Sequence, residues 1–113
     1  MGRRERQAIR SNLKILLMHL LKYQYQSQKR SKSCLLTIFE QRDRVSELLK
    51  DSPSLVNYVP EIFEECYQFA RQKTTLEIDL PLITFPVESP FSIEETLNFE
   101  FLPDREDDRK DSD

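Results

Sequence analysis

The sequence predicts an all-α fold: a small bundle of three main helices plus a short C-terminal helix, with an extended Pro-containing C-terminal segment and a disordered acidic tail. Three observations carry this. Gly2 is the only glycine in 113 residues, so neither phosphate-cradling loops nor dinucleotide folds can be built. No Asn-Gly or Asp-Gly hairpin turn occurs, which removes the usual means of folding a sheet. Apolar side chains instead recur at three- and four-residue steps. The length suits one core, taken as residues 1–103, with 104–113 as the charged tail.

Each element has its own signal. From Arg4 to about Gln24, Ile9, Leu13, Leu16, Leu17, Leu20 and Leu21 form an apolar stripe, with Arg6, Arg10, Lys14 and Lys22 among the polar positions. Gln26 to Lys32 is polar and basic, a connector whose Ser31 or Ser33 can cap a second helix. That helix runs from Lys32 to Lys50, with Leu35, Ile38, Val45, Leu48 and Leu49 toward the core and Glu40, Gln41, Asp43, Arg44 and Glu47 toward water. Asp51-Ser52-Pro53-Ser54 ends it, with Ser52 as the next cap. Leu55, Tyr58, Val59, Ile62, Phe63, Cys66, Tyr67 and Ala70 continue the period, and Pro60 predicts a short turn before a long helix restarts.

Beyond Thr75, Leu76, Ile78, Leu80 and Leu82 alternate with polar residues and Pro81. A lone strand has no partner, so an extended segment across the helices is predicted. Ser92-Ile93-Glu94-Glu95 is a capping box and starts a short helix to about Asn98. Phe99, Phe101 and Leu102 are expected to dock as a terminal anchor, ahead of a tail without apolar residues.

The same composition bounds function. The longest apolar run, Leu13 to Leu21, is broken by Lys14 and His19 and falls short of the roughly 20 residues a bilayer needs. No small-residue cleavage site follows the basic N-terminus, so a cytoplasmic, unprocessed chain is expected, with no membrane partner. Two cysteines without a Cys-x-x-Cys pair and one histidine cannot make a disulfide framework or a good zinc site; the expected thiols are reduced, with no metal or other cofactor.

Net charge of −3 hides a division. Residues 1–50 hold 12 Lys+Arg and 4 Asp+Glu, a balance of +8, while residues 51–113 hold 5 and 16, a balance of −11. One reading is a nucleic-acid face made by Arg3, Arg4, Arg6, Arg10, Lys29, Arg30 and Lys32, with Tyr23 and Tyr25 for stacking. The other is that the two halves pack together with complementary charges on a solvated surface. The second is preferred, because no helix-turn-helix spacing or RNA-binding motif accompanies the basic residues.

Candidate catalytic groups are sparse. His19 lacks the Glu-x-x-His arrangement of di-iron bundles, since position 16 is Leu, and reads as a hydrogen-bonded, partly buried side chain. Cys66 lies on an apolar stripe as a small core hydrophobe. Cys34 follows Lys29, Arg30 and Lys32 at a helix start, surroundings that favour thiolate, and is the candidate reactive thiol. Glu61, Glu64 and Glu65 suit the first turns of a helix through its dipole.

The segments Met1-Gly-Arg-Arg-Glu-Arg-Gln-Ala-Ile9, Leu16-Leu-Met-His-Leu-Leu-Lys-Tyr-Gln-Tyr-Gln26, Asp51-Ser-Pro-Ser-Leu55 and Tyr67-Gln-Phe-Ala-Arg71 occur in an order that resembles the bacterial domain-of-unknown-function family 29. Phe85-Pro86, Ser89-Pro90-Phe91 and Phe101-Leu102-Pro103 continue the likeness. The resemblance implies an all-helical fold in which the alternating segment ends a helix and enters a loop; it implies no activity, substrate or catalytic residue. Cys34 stands where that family usually has Trp, and Tyr23 where Trp is common. Family members usually carry a further helical segment upstream, so the chain is expected to lack a packing partner for its first helix and to be marginal or self-associating.

The leading functional expectation is a small non-catalytic helical protein that binds a protein partner, or itself, through apolar helix faces. The alternative is a nucleic-acid-associated regulator using the basic half. An enzyme resting on His19 or Cys34 comes third.

Overall fold

A computed structural model describes residues 2–26 and 32–103. Lys29, Arg30, the Ser31 cap and the tail 104–113 lie outside the described residues. The chain forms helices α1 (Arg3–Tyr25), α2 (Lys32–Asp51), α3 (Leu55–Ile78) and α4 (Ile93–Leu97), with a 3₁₀ turn at Leu82–Thr84. The described residues are helices, turns and loops, as the sequence predicts.

Gly2 occupies the cap of α1 in an extended conformation, and the Glu5 carboxylate accepts from its N–H at 2.9 Å. Helix α1 packs along both α2 and α3, which barely meet each other. The α1–α2 pair is antiparallel: Cys34 at the start of α2 touches His19, while Leu48 lies beside Asn12. Helix α3 runs parallel to α1, because Arg10 meets Glu65 and Lys22 meets Glu77.

This central position explains why Ile9, Leu13, Leu16, Leu17, Leu20 and Leu21 are all fully buried. Burying such a side chain is worth about 1.5–3 kcal/mol, so this stripe is the main source of stability. Ile38 and Val45 from α2, and Leu55, Ile62, Cys66, Tyr67 and Ala70 from α3, close on it. The expectation that α1 lacks partners is therefore corrected: two helices cover it, and the exposed apolar side chains lie on α2, on α3 (Val56, Phe69, Leu76) and on the strap.

Pro60 also behaves differently from expectation. Helix α3 runs unbroken through it. The helix begins tightly, with Leu55 N–H donating to Ser52 O at 2.9 Å and Val56 N–H to Pro53 O at 3.0 Å. Pro60 then forgoes only the bond to the carbonyl of Val56, and both residues are exposed, so water can take that carbonyl. Ser54 holds the cap position expected for Ser52, which contributes its carbonyl instead.

The alternating segment divides. Leu76 to Ile78 remain helical, and Asp79 stops α3 in the left-handed region at φ 57°, which Asp tolerates better than most residues. From Leu80 onward the chain crosses the bundle as a strap. Arg71 donates to Phe85 O at 3.2 Å, and the Tyr67 hydroxyl donates to Pro86 O at 2.6 Å. Phe85 stacks edge-on against Tyr25, with centroids 5.1 Å apart, and Phe91 against Phe101 at 6.2 Å. The predicted capping box forms: Glu95 N–H donates to Ser92 Oγ and Ser92 N–H to Glu95 Oε1, both at 3.0 Å. Of the expected terminal anchor, Phe101 is half-buried, whereas Phe99 and Leu102 stay exposed.

Candidate functional site

Among the described residues, the candidate basic side chains do not gather on one face. Arg3, Arg4 and Arg6 are exposed on the first turns of α1, and Lys32 starts α2 beside the other end of α1. At 1.5 Å per residue those ends are separated by about 30 Å. Arg10 is engaged within the fold: it pairs with the Glu65 carboxylate and points Nη1 at the Tyr58 hydroxyl at 3.5 Å. Arg6 lies over the Tyr58 ring, 5.4 Å from its centroid. A second ion pair joins Lys22 to Glu77, and that lysine holds the Glu77 carboxyl below its ordinary range. The basic half and the acidic half thus meet along the α1–α3 seam.

His19 sits half-buried near that second pair, with Nδ1 2.9 Å from the Ile15 carbonyl. Burial lowers its pKa, which keeps the ring neutral at neutral pH. Cys34 is 9% exposed, and its thiol donates to the backbone carbonyl of His19 at 3.7 Å, not to the imidazole. Burial pushes that thiol up, opposite to the direction expected from the basic flank and opposite to what a nucleophile needs. Cys66 repeats the arrangement from α3, donating to Arg10 O at 3.7 Å, and its thiol is raised for the same reason. Each outer helix therefore sets one small thiol against an α1 carbonyl, where it fills space. Among the described residues, no group of three His, Cys, Asp or Glu side chains is placed to hold a metal ion.

Helix α2 is where structure and sequence reasoning part. Gln41, expected in water, is 5% exposed, and Leu35, expected in the core, is 42% exposed. Arg42, not singled out by the sequence, is 2% exposed. Its Nε donates to Thr96 O at 2.8 Å and its Nη2 to Glu95 O at 3.3 Å, so it fastens the last carbonyls of α4 to α2. These acceptors are neutral, and burial brings the guanidinium down to about 10, still protonated at neutral pH. Beside it lies a cleft of about 280 Å³ between α2 and α4, walled by Val45, Leu49, Leu97 and Phe99 with Lys50 at the edge. No local pattern marks Arg42, because its acceptors come from more than fifty residues further along the chain.

On the outer face of α2, Leu36 and Phe39 are each 56% exposed, beside Leu35. Phe99 extends this surface, its ring 5.5 Å from that of Phe39. No described helix is long and apolar enough to cross a membrane.

No curated protein and no solved structure matches the chain. A family model described as a domain of unknown function, DUF29, matches residues 1–102. With nearly the whole chain covered, from the cap of α1 to the end of the strap, the protein belongs to the DUF29 family.

Proposed function

We propose that the protein is a non-catalytic protein–protein interaction module whose contact surface is the outer face of α2. One observation carries the reading: Leu35, Leu36 and Phe39 are exposed within five residues of α2 and Phe99 adds its ring to theirs, whereas the exposed Val56, Phe69 and Leu76 of α3 are spaced along 21 residues. Large exposed side chains scattered singly need no explanation, but a cluster on one helix face marks a surface that another molecule covers. The groups with catalytic chemistry support the same reading, since His19, Cys34 and Cys66 are each bonded to or against backbone carbonyls of α1. Their unbridged thiols fit a reducing compartment such as the cytoplasm.

Among the described residues, the nucleic-acid alternative has Arg3, Arg4 and Arg6 at one end and Lys32 at the other, with Arg10 taken up by Glu65. It would require binding that weakens steeply with salt, and no such binding is expected.

The test places a photo-crosslinking residue at position 39 in cells, with the exposed position 72 on α3 as control. Protein adducts at 39 and none at 72 are expected. Equal yields at both positions, or none at 39, would overturn the reading.

A further inference from the structure

We propose that the outer face of α2 binds a second copy of this chain, as an antiparallel helix pair about a two-fold axis between residues 36 and 39. This rests on the interface reading above and names its partner. The observation is a spacing on one exposed strip: Lys32, Leu36, Phe39 and Asp43 follow one another at four, three and four residues, and all four are exposed. Steps of three and four keep side chains in one seam along a helix and form the repeat by which two helices interdigitate. This seam reads cation, apolar, apolar, anion.

A two-fold axis makes the contact isologous, so each pair occurs twice. With the axis between 36 and 39, Leu36 lies opposite the partner's Phe39, and Lys32 lies opposite the partner's Asp43. The centre is then two apolar layers, closed at each end by an ion pair between copies. A parallel pairing would instead set Lys32 against the partner's Lys32 and Asp43 against the partner's Asp43, so charge selects the antiparallel arrangement. Phe99, in ring contact with Phe39, and Leu35 widen the apolar centre on one side.

The seam spans about 16 Å of helix, less than a standard interface of about 800 Å² per partner requires. The association is therefore weak and concentration-dependent, a reversible dimer and not an obligate one.

Sedimentation equilibrium on the full chain tests it. The wild type is expected to shift from monomer to dimer as concentration rises. Phe39→Glu and Leu36→Glu should each abolish the dimer with the helical circular dichroism unchanged; the second variant removes no ring contact within the fold. Lys32→Asp alone, or Asp43→Lys alone, should weaken the dimer at least about tenfold, because each change places like charges at both ends. Lys32→Asp with Asp43→Lys together should restore it to within about threefold, since opposite charges face again. Absence of that rescue, or a wild type monomeric at all concentrations, overturns the proposal. If the wild type is monomeric while position 39 still crosslinks to other proteins, the interface reading stands and the second copy is wrong. If a dimer forms that Phe39→Glu leaves intact, the proposal falls because another face makes it.

Discussion

Helices α1 and α2 are of similar length, 23 and 20 residues, and each alternates apolar and polar residues at helical spacing, yet they end in opposite situations. Helix α1 has a neighbour on each of two sides and hides every leucine on its stripe. Helix α2 has α1 on one side and α4 at its edge, and leaves Leu35, Leu36 and Phe39 uncovered. A stripe becomes core only where another element arrives to cover it, and that depends on the path of the rest of the chain.

The largest expected difference between these regions is energetic. Leu17→Ala, in the fully buried stripe of α1, should lower the unfolding free energy in urea by about 2–5 kcal/mol, since the cavity cannot refill from two rigid neighbours. Leu36→Ala, measured on dilute monomer, should change it by no more than about 0.5 kcal/mol. Comparable losses would mean that the outer face of α2 is packed in solution and the contrast is wrong.

The inner edge of α2 should fall between these extremes. Arg42→Met keeps much of the packed stem and removes the donors to Glu95 and Thr96, leaving two carbonyls of α4 without their guanidinium. The expected cost is about 1–3 kcal/mol, accompanied by faster amide exchange in α4. Exchange that is unchanged in α4 would show that the strap holds this helix without Arg42.

These residues also mark how far the sequence could be read. The α1 stripe was legible because its periodicity is long and every member is apolar, and the Ser92–Glu95 box because its two bonds are local. The helical state of Leu76 to Ile78 was not legible from periodicity, since alternation over a few residues fits a strand and a helix end alike; only the family resemblance implied that this segment ends a helix and enters a loop, as it does at Asp79. Leu35 and Arg42 were misplaced or missed for one physical reason. Residue type assigns leucine inward and arginine outward, while the structure turns α2 so that Arg42 reaches carbonyls contributed from far along the chain. Cys34 shows the same limit in chemistry: its basic neighbours in sequence favour thiolate, but the surface of α1 that buries it does the reverse.

A smaller effect tests the strap. Ser92→Ala removes the hydroxyl that accepts from Glu95 N–H and leaves the α4 start uncapped, at about 0.5–2 kcal/mol. Because α4 has only five residues, the loss should appear as local amide exchange in residues 93–97 more than as a shift in global unfolding. If α1 exchanges faster to the same extent, α4 unfolds together with the bundle and is not a separate weak edge.

The smallest effect separates the α1–α3 seam by pH. His19 has its pKa lowered in the folded chain, chiefly by burial, with Lys22 acting the same way and the Ile15 carbonyl and Glu77 opposing. The unfolded chain therefore binds more protons in the interval between the folded value and the ordinary one of about 6.5. Stability should be complete above that ordinary value and fall as pH is lowered through the interval. Glu77 is also lowered, through Lys22, so its contribution is present above the usual carboxylate range and disappears only at more acidic pH. The two windows are thus separable. Urea unfolding between pH 7.5 and 5.5, a window chosen to bracket about 6.5, should show a loss for the wild type that His19→Gln reduces. Glu77→Gln removes a charge that opposes the lowering of His19, so it should keep or slightly enlarge the loss in that interval while removing the carboxylate's own acid limb. An equal loss in His19→Gln would place the proton uptake elsewhere and remove His19 from the account of how the seam responds to acid.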